Sequence, residues 1–109
     1  MKIQLEDYNR VIHTGYSDNA KLSETIASVE RGTLVFREYE FSADNEPIVR
    51  KQIAIGSPSA MQLAERLRAR DSKALVRLII QEATPYVDSM NHFISFFADY
   101  CEDNLIPYS

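Results

Sequence analysis

The amino-acid sequence predicts an α+β fold, in which a small antiparallel sheet packs against three C-terminal helices. The first half of the chain contains segments of alternating β-branched and aromatic residues, a pattern typical of strands. The second half repeats its apolar residues every three or four positions, as amphipathic helices do. At 109 residues the chain has room for one core of ordinary size, so residues 1–109 are predicted to form a single domain.

Composition excludes several functional classes. Hydrophobic residues make up 45% of the chain, too many for a disordered protein. The net charge of −4 disfavours a protein that binds mainly through nucleic-acid phosphates. The apolar runs are too short to cross a bilayer, so no membrane association is predicted. The single cysteine cannot form an intrachain disulfide, which favours a cytoplasmic location.

The first thirty residues carry the weakest structural signal. Apolar residues alternate over residues 1–5, which predicts a short edge strand, and residues 7–16 show no clear pattern. A short helix is predicted over residues 18–32, where the apolar positions at helical spacing are Leu22, Ile26 and Val29. The alternative is a strand over residues 24–29 that turns at residues 31–32 into the next strand.

A β-hairpin is the best-supported element of the N-terminal half. Residues 33–41 are rich in β-branched and aromatic side chains, and residues 47–55 alternate between apolar and polar ones. A polar cluster at residues 42–47 separates the two segments and predicts the turn. The sheet is therefore expected to be built on strands at about 33–41 and 47–55.

Three helices are predicted after the hairpin. The first covers residues 59–70, with the pair Ser57–Pro58 as N-cap and first helical residue. The second begins at Asp71 or Ser72 and ends at Ala83, and its apolar residues leave only a narrow polar strip. The third covers residues 84–101, and the tail over residues 104–109 is expected to fray.

Charge is segregated along the second half of the chain. Residues 64–77 contain five bases and two acids, whereas residues 78–109 contain five acids and no base. If residues 59–82 formed one helix, one face would carry four bases: Arg66, Arg70, Lys73 and Arg77. This face suits phosphates or an acidic protein surface. The alternative is a solvated face, and a break at Asp71 would divide the four bases into two pairs.

A second candidate face is acidic. On the predicted last helix, one arc carries Asp88, His92, Asp99 and Asp103. Asp88 and His92 have the i, i+4 spacing of two metal ligands, but no third ligand lies within reach of the same ion, so no metal site is predicted. We interpret this face either as solvated or as a surface that contacts a partner.

Catalytic motifs are absent from the sequence. It contains no Gly-rich phosphate loop, no HExxH and no GxSxG. Cys101 and His92 fall on nearly opposite sides of the predicted last helix, so they cannot form a catalytic pair, and Cys101 is expected to be buried. Glu38 and Glu40 on the hairpin remain as carboxylates for an enzyme without a motif. No cofactor is predicted.

A helix-turn-helix is one further interpretation of residues 62–79. Ala64 supplies the small residue that this motif needs in its first helix. The turn at residues 68–71 has no glycine, however, and Arg77 stands where the motif needs an aliphatic packing residue. The second helix is also too apolar to lie in a DNA groove.

Elimination leaves surface recognition as the predicted function. A compact domain without catalytic equipment is expected to be a non-enzymatic protein-binding module, such as a small inhibitor, an immunity-type protein or an adaptor. An anti-defence or immunity role from a bacterial mobile element is one compatible instance. The first alternative is a nucleic-acid-associated factor that uses the basic residues between Arg66 and Arg77. The second is an enzyme or ligand-binding domain with a pocket that lacks a motif. The expected partner is another protein, and self-association stays open.

Overall fold

Four antiparallel strands are followed along the chain by three helices. A computed structural model of the protein describes residues 3–42 and 46–109. Each strand pairs with the next one in sequence, and the strands are β1 (Tyr8–Ser17), β2 (Ala20–Glu30), β3 (Thr33–Phe41) and β4 (Pro47–Ile55). The helices are α1 (Ser57–Leu67), α2 (Ser72–Ala83) and α3 (Phe93–Asp103). The predicted α+β fold is thereby confirmed, with the C-terminal helices packed against the sheet.

β2 occupies the segment for which the sequence predicts a helix, so the prediction over residues 18–32 is wrong. Ile26 and Val29 lie three residues apart in a strand and therefore point to opposite faces of the sheet. Their helical spacing does not mark a common buried side. The alternative, a strand over residues 24–29 that turns at residues 31–32, is the correct interpretation.

Two-residue turns connect β1 to β2 and β2 to β3. Asp18 and Asn19 have φ angles of 51° and 66°, and Arg31 and Gly32 have φ angles of 51° and 81°. A type I′ hairpin turn requires positive φ at both central residues, which Gly, Asn and Asp tolerate best. Asp18 is therefore a turn residue and not the start of a helix.

The N-terminal segment crosses the end of the sheet without adding a strand. Residues 1 and 2 of the strand predicted at residues 1–5 lie outside the described part of the chain. Residues 3–7 have no strand structure. Asp7 Oδ1 accepts the backbone N–H of Arg31 at 2.9 Å, and the Ser72 hydroxyl donates to the carbonyl oxygen of Glu6. The segment thus joins the β2–β3 turn to the start of α2.

The predicted hairpin is confirmed, with one irregularity that the sequence does not reveal. The strands begin and end within one residue of the predicted limits. The pairing passes from Glu38 with Lys51 to Tyr39 with Val49, so Arg50 is the extra residue of a β-bulge. Residues 43–45 of the predicted turn lie outside the described residues.

The core lies between one face of the sheet and the three helices. Two rows of cross-strand neighbours supply the sheet side of the core: Val29, Leu34 and Ile55, then Ala27, Phe36 and Ile53. The Phe36 ring lies 5.1 Å from the ring of Phe93 and 4.7 Å from that of Phe97, both on α3. Aromatic pairs at these separations add to the stabilisation from apolar burial, so α3 is fixed to the centre of the sheet.

α1 and α2 are separate helices joined by a tight connection. α1 begins after Gly56, one residue earlier than predicted, which puts Pro58 in the first turn. It ends at Leu67 and not at Arg70, because Arg68 adopts the left-handed conformation (φ 59°). α2 is capped as predicted, since Asp71 Oδ1 accepts the backbone N–H of Ala74 at 2.8 Å.

The third helix starts nine residues later than predicted. The chain forms two short 3-10 turns, Thr84–Tyr86 and Met90–His92, before α3 begins at Phe93. Between the two turns, Val87 and Ser89 have extended backbones, so the predicted helix over residues 84–101 is wrong in its first half. The Ser89 hydroxyl accepts the N–H of Asn91 at 3.3 Å, an interaction that begins a new helical turn.

The C-terminal tail packs onto the sheet, and the prediction that it frays is wrong. Ile106 is buried in the core cluster. Ser109 exchanges two backbone hydrogen bonds with Ala54 of β4, at 2.9 and 3.0 Å. Across residues 3–42 and 46–109, no helix has the length and apolarity that crossing a membrane requires.

The sheet extends well beyond the helices. The molecule measures 47 × 26 × 21 Å, and β2 alone spans about 36 Å at ~3.3 Å per residue, whereas α2 spans about 18 Å. In β4, residues 47–52 are exposed, and burial begins only at Ile53. We call the half of the sheet beyond the last apolar row of the core (Ala27, Phe36 and Ile53) the overhang (residues 13–25, 38–41 and 47–51).

Candidate functional site

Polar residues follow the apolar rows on the helix-facing side of the sheet. Beyond Phe36, the next row of cross-strand neighbours is His13, Thr25, Glu38 and Lys51. One row further lie Gly15, Ser23, Glu40 and Ile48. Because direct cross-strand neighbours share a face of the sheet, these groups continue the same surface that forms the core. The core therefore ends in a polar region at the start of the overhang.

A cleft of about 360 Å³ lies in this polar region. Its charged and titratable lining consists of Glu38, Glu40, Arg50, Lys51 and His92. Larger apolar or aromatic side chains in the lining are Tyr16, Leu22 and Phe41. Strands of the overhang supply most of the lining, and the 3-10 turn before α3 supplies the rest.

Two hydrogen bonds tie the start of α3 to the sheet beside the cleft. His13 Nε2 donates to Asn91 Oδ1 at 2.8 Å, an assignment that follows because an amide oxygen only accepts. Lys51 Nζ donates to the Ser95 hydroxyl at 3.1 Å. These contacts join β1 and β4 to the same end of α3, so the cleft has walls on both the sheet and the helical side.

Glu38 is the most buried charged residue of the cleft. Its side chain lies in the centre of the sheet, and the residue is only 8% exposed. Glu40, two positions along β3, is exposed at the outer part of the cleft. Residues i and i+2 of a strand point to the same side, so both carboxylates face the cleft. The structure thereby brings together the two carboxylates that the sequence leaves as candidates for a site without a motif.

The four basic candidate residues do not share one helix face. Arg66 lies in the last turn of α1, Arg70 lies in the connection, and Lys73 and Arg77 lie one turn apart on α2. The left-handed residue Arg68 produces this division. All four side chains are exposed, and within residues 3–42 and 46–109 none of them forms an ion pair. They lie around the connection between α1 and α2, which we call the helical corner (residues 66–77), and they do not form a straight stripe.

The acidic candidates are also divided. Asp88 lies between the two 3-10 turns, so the i, i+4 geometry with His92 that a continuous helix would give is not present. Asp99 and Asp103 lie one turn apart on α3, and both are exposed. Among the described residues, no group of three or more His, Cys, Asp or Glu side chains could hold a metal ion. His92 is the one predicted site residue that lines the cleft.

The opposite face of the sheet carries a bidentate ion pair. Arg37 on β3 donates through both terminal nitrogens to Glu30, with Nη2 at 2.9 Å from Oε1, and through Nε to Gln52 at 2.9 Å. The hydrogen bonds from Arg37 hold the pKa of Glu30 below its usual value, and those to Glu30 raise the pKa of Arg37. Both groups are thus charged and satisfied within the sheet, so this pair needs no external ligand.

α2 and Cys101 take structural roles. α2 packs Leu75, Val76 and Ile79 into the core, so it does not present the exposed helix that a helix-turn-helix needs for DNA.

Cys101 is fully buried as predicted. Burial, and to a smaller extent the nearby charge of Glu102, raises the pKa of its thiol to about 12. A thiol that stays protonated is a poor nucleophile.

Comparison of the chain with protein-family models, with curated proteins and with solved structures finds no match.

Proposed function

We propose that this protein is a non-enzymatic protein-binding module that contacts its partner through the overhang. The observation that carries the proposal is the distribution of exposed apolar side chains. Among the described residues, seven large hydrophobic side chains are exposed, and four of them lie on the overhang: Tyr16, Leu22, Ile48 and Val49. Ile48 and Val49 are consecutive in β4 and point to opposite faces of the sheet, so exposed apolar groups lie on both faces of the overhang. Exposed apolar side chains beside charged ones are typical of protein-binding surfaces.

Backbone chemistry of the overhang supports the same proposal. β1 and β4 are the two outer strands of the sheet, so each has one edge without a neighbouring strand among residues 3–42 and 46–109. The tail covers the edge of β4 at Ala54, near the helices, whereas the bulge at Arg50 lies further out on the overhang. Unpaired edge groups and exposed apolar side chains together favour recognition of another polypeptide.

The proposal is compatible with an inhibitor, an immunity-type protein or an adaptor, including one from a bacterial mobile element. We further propose that it acts in the cytoplasm. The support for this location is chemical: the chain has one cysteine, which is buried and forms no disulfide, as expected where thiols stay reduced.

Capture of a partner by matched variants tests the proposal. Immobilised protein is expected to retain one stoichiometric protein from a native lysate, and the double variant Ile48→Ser/Val49→Ser is expected to lose it. Leu105→Ser removes an exposed apolar group outside the overhang, so it is expected to retain the partner. All variants must have similar melting temperatures. Retention by the double variant would contradict the proposed surface.

A second candidate function is association with nucleic acid through the helical corner. Its support is the set of exposed bases without ion pairs in the described structure: Arg66, Arg70, Lys73 and Arg77. Binding to duplex DNA that weakens steeply with salt, and that is lost in Arg66→Ala/Arg70→Ala, would favour this function over the overhang.

A further inference from the structure

Glu38 is unusual because the residue is largely buried while its carboxylate has no hydrogen-bond donor among the described residues. The residue is 8% exposed, and within the part of the chain that the structure describes its side chain makes no hydrogen bond or ion pair. Its cross-strand neighbour Lys51 is the nearest basic position in the sheet pairing. The Lys51 ammonium, however, donates to Ser95.

The oxygens of Glu38 therefore face the cleft. Among the described residues, every fully enclosed side-chain nitrogen or oxygen atom has a hydrogen-bond partner. An unpartnered carboxylate oxygen must then retain contact with open space, and Glu38 lines the cleft. Glu38 thus offers unpaired acceptor oxygens to the cleft, and a donor that enters the cleft can pair with them.

We propose that the cleft receives a basic side chain, lysine or arginine, from the bound protein, with Glu38 and Glu40 as its acceptors. This inference rests on the proposed function and names the chemistry of the partner. The Cα atoms of Glu38 and Glu40 are about 7 Å apart along β3, and both side chains point to the same side of the sheet. A guanidinium with five donors, or an ammonium with three, can satisfy both.

The remaining lining fits the stem of such a side chain. Leu22 and Phe41 supply apolar surface against which the methylene groups of lysine or arginine can pack. Arg50, Lys51 and His92 also line the cleft and oppose a cation, but all three are exposed, so water and salt screen them more than they screen Glu38. The carboxylate of Glu38 therefore makes the inner part of the cleft favour a positively charged group.

N-acetyl-L-arginine amide is the probe, and N-acetyl-L-citrulline amide is its neutral control of the same shape. Titration of the whole protein is followed through backbone amide chemical shifts. The arginine compound is expected to give saturable shifts at Gly15, Ser23 and Asn91, which line the cleft, and the citrulline compound is not. Shifts that are absent, or equal for both compounds, would overturn the inference.

Substitution of the carboxylates makes the test specific. Glu38→Gln keeps the shape and removes the charge, so we expect it to weaken binding of the arginine compound about tenfold or more. Glu65→Gln changes an exposed carboxylate on α1 and is expected to leave binding unchanged. If Glu38→Gln fails to fold, Glu40→Gln takes its place and is expected to weaken binding less. Unchanged affinity in the cleft variant would overturn the inference.

The outcomes separate this inference from the proposed function. If partner capture is lost in Ile48→Ser/Val49→Ser but kept in Glu38→Gln, the overhang is the binding surface and the basic side chain is not required. If capture is lost in both variants and the arginine compound binds, both proposals are supported. If capture is unaffected by Ile48→Ser/Val49→Ser, the proposed function fails whatever the arginine compound does.

Discussion

Cys101 is unreactive in the folded protein because its thiol lies within the aromatic core. Its backbone carbonyl accepts the N–H of Ile106 at 2.8 Å, which folds the tail over the end of α3. The thiol itself is fully buried, and burial raises its pKa to about 12. A reactive cysteine needs an accessible thiolate, and this residue has neither the access nor the charge.

We predict that a thiol reagent at about pH 8 modifies Cys101 only after the protein unfolds. The sign of the pH effect follows from the raised pKa. The protonated thiol is favoured in the folded state, so its stabilising contribution is complete below the unfolded pKa and is lost as pH rises from about 9 to about 12. The rate at which the reagent modifies the protein is measured in buffer and in urea. The variant Cys101→Ser gives the background signal. Rapid modification in buffer would mean that the core around α3 opens readily.

At the scale of elements, α1 and α3 end in the same way without glycine. Arg68 (φ 59°) follows α1 and Leu105 (φ 56°) follows the end of α3, and both are in the left-handed region. After α1, the N–H groups of Arg68 and Ala69 donate to Glu65 and Ala64, which is the Schellman pattern. After α3, the N–H of Ile106 reaches Cys101 in the same pattern. A glycine normally occupies the left-handed position, so both helix ends carry conformational strain.

We predict that Arg68→Gly stabilises the protein by about 0.5–1 kcal/mol, since glycine relieves the left-handed strain but adds flexibility to the unfolded chain. Arg70→Gly is the matched control, because it removes the same charge from an exposed residue that does not have positive φ. This control is expected to be neutral or destabilising. Urea denaturation of the two variants measures the difference. If Arg68→Gly lost as much stability as Arg70→Gly, the claim that Arg68 is strained would be contradicted.

Element type is predictable from the sequence where pattern and turn chemistry agree, and less so where they conflict. The hairpin of β3 and β4 and the capped start of α2 at Asp71 follow directly from the sequence. β2 does not, because Asp18 favours both a helix cap and a hairpin turn. The end of α1 at Leu67 is hidden by the absence of glycine, and this end is what divides the predicted basic stripe.

At the scale of the whole molecule, strands that are about twice as long as the helices create the overhang. Strand length is visible in the sequence only for β3 and β4, so the surface formed by the β1–β2 hairpin escapes prediction. The cleft depends on the register of four strands, and the bulge at Arg50 sets the register of β4. Sequence patterns identify Glu38 and Glu40 as unassigned carboxylates, but tertiary structure alone brings them beside His92.

Charge is distributed over the molecule in a way that separates the two candidate functions. The exposed bases between Arg66 and Arg77 surround the helical corner, whereas four of the seven exposed apolar groups of the described residues lie on the overhang. A partner that uses one of these surfaces need not cover the other. The location of the partner therefore distinguishes a protein-binding overhang from a phosphate-binding corner.

Amide hydrogen exchange of the free and partner-bound protein tests the central claim most directly. If the overhang is the binding surface, exchange slows on binding in the β1–β2 turn region around residues 16–24 and in residues 48–51 of β4. Residues 66–77 at the helical corner keep their exchange rates. Slowed exchange confined to residues 66–77, with the overhang unchanged, would contradict the account.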